Sequence, residues 1–166
     1  IDTSLMMRCE GFTTSSSLVT TRPDGARPAL HKRGATDGFF IEDSQIDDLL
    51  DTRILHVGGV GLMNRMDDSG RTEEILREAK KRGVITTLDV FASTPADLPK
   101  VARLLPYTDY FLPSEEEARA LSGLTGNREL AQFLLDRGAA CVILTLGADG
   151  AFYRHRDGTE FHTPAF

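Results

Sequence analysis

Four short segments carry residue types suited to chemistry, and each follows an apolar run. The first, Val57-Gly58-Gly59-Val60-Gly61, places glycines after a strand, where missing side chains let a phosphate or another small ligand approach the backbone. It does not complete a dinucleotide fingerprint: Asn64 stands where the third glycine belongs, and the acid about 20 residues on is not at a following strand end. A tight strand exit with room for a ligand's backbone contact fits it better. The second, Leu88-Asp89-Val90, ends a strand in a carboxylate that either caps the next loop or holds a sugar hydroxyl, a metal-bound water or a phosphate-side network. The third, Pro113-Ser114-Glu115-Glu116-Glu117, reads as a capping box in which Ser114 and Glu117 satisfy each other's backbone N–H groups. Three acids on the first turn exceed what a cap needs, and a carboxylate at a crevice edge can position Mg²⁺ through water; from the residues alone the cap is favoured. The fourth, Thr145-Leu146-Gly147-Ala148-Asp149-Gly150, follows the most apolar strand. It is either a backbone-exposed loop suited to a nucleotide or an ordinary strand-to-hairpin turn.

Other chemistries find less support. His31, His56, His155 and His162 lack ligand spacing, and no Ser, His and Asp constellation announces a hydrolase. Met6, Met7, Met63 and Met66 read as packing residues. Cys9 and Cys141 have no CxxC partner, which fits a reducing compartment, with cytoplasm as the default. Nineteen Lys and Arg against 25 Asp and Glu give a net charge of −6 over 166 residues, which argues against nucleic acid as a partner. Apolar stretches such as Cys141-Val142-Ile143-Leu144 fall far short of the roughly 20 residues that span a bilayer, so no membrane segment is expected.

The elements that must position the four segments follow two rhythms. Residues 12–21, rich in Thr, Ser and Val, the turn signal Pro23-Asp24-Gly25, and a return over 27–33 predict a hairpin that packs on something else. From residue 43 short apolar strands alternate with amphipathic helices. Helices are predicted over 43–50, 71–82, 97–105, 114–121 and 129–137, with Ile75, Leu76 and Ala79 on one face of the second. Strands are predicted over 53–57, 84–90, 110–112 and 140–146, and a terminal antiparallel hairpin over 151–155 and 160–163. Near-continuous apolar strands separated by helices predict an α/β fold, a mostly parallel sheet covered on both faces. Ligands of such sheets bind beyond the carboxyl ends of the strands, where all four segments lie.

The order of these pieces resembles the PfkB/ribokinase family of carbohydrate kinases. The resemblance rests on the ribbon with Pro23-Asp24-Gly25 at its tip, the return through Gly34-Ala35-Thr36, and the strand into Gly58-Gly59. Val84 to Asp89, Asp109 to Ala118 and Val142 to Ala151 then follow in the family's order and spacing, so nearly the whole chain is covered. The resemblance implies a three-layer α/β/α core with a small β lid, the lid over 12–34 and the core over 35–166. It further implies ATP-dependent phosphorylation of a hydroxymethyl group on a sugar or related small molecule, with ATP and Mg²⁺ as cofactors. Thr145, Gly147, Gly150 and Ser114 would contact the nucleotide, Glu117 and Asp89 would serve the metal, and Gly59 would meet the substrate through its backbone. Ser114 stands where the family's Asn-x-x-Glu motif has Asn, so Glu117 carries over better than Ser114. The chain is expected to be the central portion of a longer protein: the sugar-holding glycine pair and acids would precede Ile1. The Gly-Ala-Gly-Asp motif, whose Asp is the base, would follow Phe166. A homodimer through the lid and a cytoplasmic location complete the expectations. The alternatives are a degenerate sugar or nucleotide sensor, favoured by Ser114, and a nicotinamide-dependent oxidoreductase resting on Gly58 to Gly61.

Overall fold

Alternation of buried and exposed side chains builds the central sheet. In the computed structural model, which describes residues 2–23, 25, 27–91 and 94–165, strand β3 (Ile54–Val60) buries Leu55 and Val60, and β4 (Ile85–Val90) buries Thr86, Leu88 and Val90. Their intervening residues Ile54, His56, Ile85, Thr87 and Asp89 point to the opposite face. The short β5 (Tyr110–Phe111) and β6 (Cys141–Thr145) continue the sheet, and β7 (Ala151–His155) and β8 (Glu160–Thr163) finish it. The strand order is β3-β4-β5-β6-β7-β8, parallel through β6 and antiparallel beyond it. The chain is therefore α/β, with a mostly parallel sheet whose four parallel strands end on one edge.

The helices bury the Leu88 face. Helix α4 (Arg71–Lys81) places Thr72, Ile75, Leu76 and Ala79 in the core, with Glu73 and Glu74 in its first turn and Lys80 and Lys81 in its last, both favourable to the helix dipole. Helices α6 (Glu115–Ser122) and α7 (Asn127–Leu135) contribute Ala118, Leu121, Leu130, Ala131 and Leu134. Phe111, Val142 and Leu144 meet them from the sheet, each fully buried. Such side chains are each worth about 1.5–3 kcal/mol of transfer free energy. The opposite face carries exposed Ile54, Ile85, Tyr110 and Phe161 among the described residues.

Two expectations change. The helix predicted over 97–105 is broken into a 3₁₀ turn at Pro95–Asp97, helix α5 (Leu98–Ala102) and a second 3₁₀ turn at Leu105–Tyr107. Pro99 is tolerated in the first helical turn, where its absent N–H is not needed, whereas Pro106 cannot continue a helix. After β3 the chain also forms α3 (Asn64–Ser69), for which no element is predicted, and which buries Met66 and Asp67. Six residues are too few to display a helical period. Helix α2 (Ile46–Leu50) follows a 3₁₀ turn at Asp43–Gln45, so the helix predicted over 43–50 is present in two parts.

Strands β1 (Ser16–Val19) and β2 (Ala29–Lys32) pair antiparallel as a separate ribbon, exposed at every position. Asp24, at its predicted tip, lies outside the described residues. The ribbon returns at Gly34, whose φ is +53° and where a Cβ would lie 2.4 Å from the Thr13 carbonyl oxygen; only glycine allows this approach. The short helix α1 (Ala35–Gly38) follows. No helix among the described residues is long and apolar enough to cross a membrane.

Candidate functional site

Each of the four segments ends up at the carboxyl end of a parallel strand, and backbone hydrogen bonds join them in a row. Phe91 N–H donates to the Val60 carbonyl (2.7 Å), Leu112 N–H to Leu88 (2.9 Å), and Thr145 N–H to Pro113 (3.1 Å). Ser114, three residues past β5, and Thr145, the last residue of β6, form a parallel bridge. The row from β3 to β6 spans three strand spacings, about 14 Å.

At the β3 end, Gly59 (φ +80°) starts a turn closed by Leu62 N–H on the Gly59 carbonyl, 2.9 Å. A Cβ on Gly61 (φ +98°) would lie 2.4 Å from the Phe91 carbonyl oxygen, so the exits of β3 and β4 are in contact. At the β4 end, half-buried Asp89 accepts the N–H of Val90 on one carboxylate oxygen (2.9 Å), and the other has no partner among the described residues. Two residues earlier on the same face, Thr87 Oγ1 lies 2.7 Å from Nδ1 of His56.

At the β5 end the capping box is complete. Ser114 Oγ accepts from Glu117 N–H (3.2 Å), while Glu117 Oε2 accepts from Ser114 N–H (2.8 Å) and Ser114 O–H (2.7 Å). Both polar groups of Ser114 are committed to α6, and Glu117 Oε1 is left over. At the β6 end Thr145 is exposed, and Gly147–Asp149 form a 3₁₀ turn closed by Gly150 N–H on Gly147 (3.1 Å) and Leu146 N–H on Gly150 (2.8 Å). A Cβ at Gly147 (φ +59°) would meet nothing within 4 Å, whereas one at Gly150 (φ +92°) would lie 2.0 Å from the Thr163 carbonyl oxygen. Gly147 faces open space; Gly150 is packed on the terminal hairpin.

The described residues contain no group of three or more His, Cys, Asp or Glu side chains fit to hold a metal alone. What is present is one carboxylate oxygen on Asp89 and one on Glu117, at neighbouring strand ends. That donor set suits a Mg²⁺ that arrives on phosphates, keeps several waters and needs one or two carboxylates.

Sequence reasoning missed two participants. Asp67, buried on α3, accepts the Gly61 N–H on Oδ2 (2.8 Å), and burial raises its carboxyl above the ordinary aspartate range despite that bond. Asn64 ties the ribbon's base to the same loop: its Oδ1 accepts from Arg33 (2.6 Å) and its Nδ2 donates to Asp37 (3.1 Å). The only signal for either was a pair of polar residues following glycines, too common to single out.

Comparison with known proteins places this chain in a family. A family model described as "pfkB family carbohydrate kinase" matches residues 1–166. A bifunctional ribokinase/ribose-5-phosphate isomerase A of Fructilactobacillus sanfranciscensis is 37% identical over 90 residues, 51% of this chain and 16% of the relative. An ATP-dependent 6-phosphofructokinase of Thermoanaerobacterium thermosaccharolyticum is 29% identical over 164 residues, 93% of this chain and 49% of the relative. The solved structure of Arabidopsis thaliana ribokinase complexed with ribose and ATP shares the fold, with a TM-score of 0.74 at 19% identity over 93% of this chain and 49% of that one. The chain thus spans half or less of the length of these relatives.

Proposed function

Because this chain belongs to the pfkB family of carbohydrate kinases, we propose that it forms the central part of an ATP-dependent kinase that phosphorylates a hydroxymethyl group of a sugar or related small molecule. The observation that carries this reading is the row of strand ends, in which a positive-φ glycine turn lies at one end and an open glycine turn beside Thr145 lies at the other. On this reading the acceptor meets the backbone at Gly59, and the nucleotide lies along Thr145, Gly147 and Gly150, with Ser114 at its edge. Asp89 and Glu117 would hold Mg²⁺ through water. Bound there, Mg²⁺ would neutralise charge on the phosphates.

The chain's own groups then do three things. The exposed Thr145 hydroxyl and the unobstructed Gly147 backbone receive and orient the nucleotide. The β3 turn orients the acceptor hydroxyl toward the γ-phosphoryl for in-line transfer. Residues 12–34 act as a lid over the core of residues 35–166, excluding water that would otherwise hydrolyse ATP. The base that takes the hydroxyl proton is, on this reading, an Asp outside residues 1–166. A cytoplasmic location and a homodimer formed lid to lid belong to the same proposal.

ADP release by the full-length protein, with ATP, Mg²⁺ and a panel of ribose, other sugars, nucleosides and keto-deoxy acids, tests it. Acceptor-dependent ADP is expected with at least one class. No turnover and no ATP binding would reject the reading.

A further inference from the structure

Asp67 is a buried carboxylate that none of the steps above uses. It is 1% exposed, and three parts of the chain converge on it. Its Oδ2 accepts the N–H of Gly61 in the β3 exit (2.8 Å), and its Oδ1 lies 3.5 Å from the Thr72 hydroxyl in the first turn of α4. Its own carbonyl accepts from the Arg103 guanidinium, just beyond α5. Gly61 in turn has no room for a side chain, because the Phe91 carbonyl occupies that space, and Phe91 N–H holds Val60. The glycine turn is therefore clamped between Asp67 on one side and the β4 exit on the other. A buried carboxylate costs folding free energy that an apolar residue of similar size would avoid. The bond to Gly61 is a contact that such an apolar residue could not make.

We propose that Asp67 is a positioning residue that fixes the Gly59–Gly61 backbone for contact with the acceptor. The inference rests on the kinase reading, which puts the acceptor at Gly59. It also carries a direction: β3 lies three strands from β6, and the bonds of Asp67 lead to Gly61 in the β3 exit, to Thr72 on α4 and to Arg103 just beyond α5, none of them toward β6. Loss of the clamp acts on the acceptor and not on the nucleotide.

The test is steady-state kinetics of Asp67→Ala and Asp67→Asn in the full-length protein, with ATP and whichever acceptor gives the fastest ADP release. Asp67→Ala is expected to raise the acceptor KM about tenfold or more while the ATP KM stays within about twofold. Asp67→Asn, whose amide oxygen can still accept the Gly61 N–H, is expected to restore the wild-type acceptor KM. Equal changes in both KM values, unchanged values, or an Asn variant as impaired as Ala would overturn the assignment. Amide hydrogen exchange supplies a second readout that needs no activity. Protection lost at Gly61 and Phe91 in Asp67→Ala, with Val142 to Leu144 unchanged, supports the clamp, and unchanged protection at Gly61 overturns it. A wild-type protein with no turnover would reject the kinase reading, and the exchange result would still decide the clamp.

Discussion

On the proposed reading, Glu117 carries two duties on two oxygens. Oε2 closes the capping box with Ser114, and Oε1 is the atom free to serve a metal. Glu117→Gln keeps an acceptor for the Ser114 N–H, so we expect Mg²⁺ dependence to shift to about tenfold higher concentration while Tm falls by no more than about 4 °C. Ser114→Ala removes the cap instead, and is expected to cost about 1 kcal/mol of stability, read by thermal or urea unfolding. Parallel losses of Tm and activity in Glu117→Gln would leave that residue a helix cap only. Asp67 yields a pH dependence with a definite sign. Burial raises its carboxyl above the ordinary 3.8, with the Gly61 N–H and Lys100 opposing. Below 3.8 the acid is neutral both folded and unfolded and costs nothing. As pH rises through the higher folded-state value, the buried charge destabilises the wild type, and Asp67→Asn escapes this. The Tm advantage of Asp67→Asn should therefore open as pH rises above about 4 and close below it; an advantage that grows as pH falls would contradict the assigned shift.

Elements translate these residues into a site through their ends. Gly147 and Gly150 lie in one turn, yet a Cβ is free at the first and collides with the Thr163 carbonyl at the second. Both have positive φ, so each Ala substitution costs about 1 kcal/mol in backbone strain. Gly150→Ala should add a clash that backbone must relieve, for a total of about 3 kcal/mol or more, whereas Gly147→Ala should fold nearly normally and raise the ATP KM. Unfolding curves and ATP titrations of the two variants separate these outcomes. The apolar runs around Leu88 and Val142, the helical stripe of Ile75, Leu76 and Ala79, and the Ser114 box could all be read before any coordinates, because each pattern lies within its own element. The junctions could not. That Ser114 bridges Thr145, that Phe91 crowds Gly61, and that Asp67 reaches back to a loop six residues earlier all depend on tertiary register, which sequence spacing does not encode. Proline placement at 99 and 106 was visible, but its consequence, a helix cut into three short turns, needed the packing around Val101 and Leu104 to be seen.

At the scale of the whole molecule, two surfaces shape what the protein can do. The ribbon exposes Leu18, Val19 and Leu30, each more than half accessible, on two strands too short to be stable alone. Its base is fastened by Ala35 N–H on the Thr13 carbonyl (2.8 Å), Ser15 to Thr36 (2.5 Å) and the Arg33–Asn64–Asp37 bonds. On the proposed reading, these exposed side chains pack the ribbon lid to lid with a second copy. Sedimentation of the full-length protein should then report a dimer that Leu18→Asp with Leu30→Asp converts to monomer; a monomer at every concentration tested would remove the lid dimer from the account. The row of strand ends is the second surface, and it leads to the claim on which the rest depends, that an acceptor and a nucleotide meet there for phosphoryl transfer. The most direct measurement is the mass of the acceptor after incubation with the full-length protein, ATP and Mg²⁺. The account predicts one added phosphoryl group, formed in step with ADP and diminished in Gly147→Ala. Nucleotide bound without any modified acceptor would contradict it and leave a sensor built on a kinase fold.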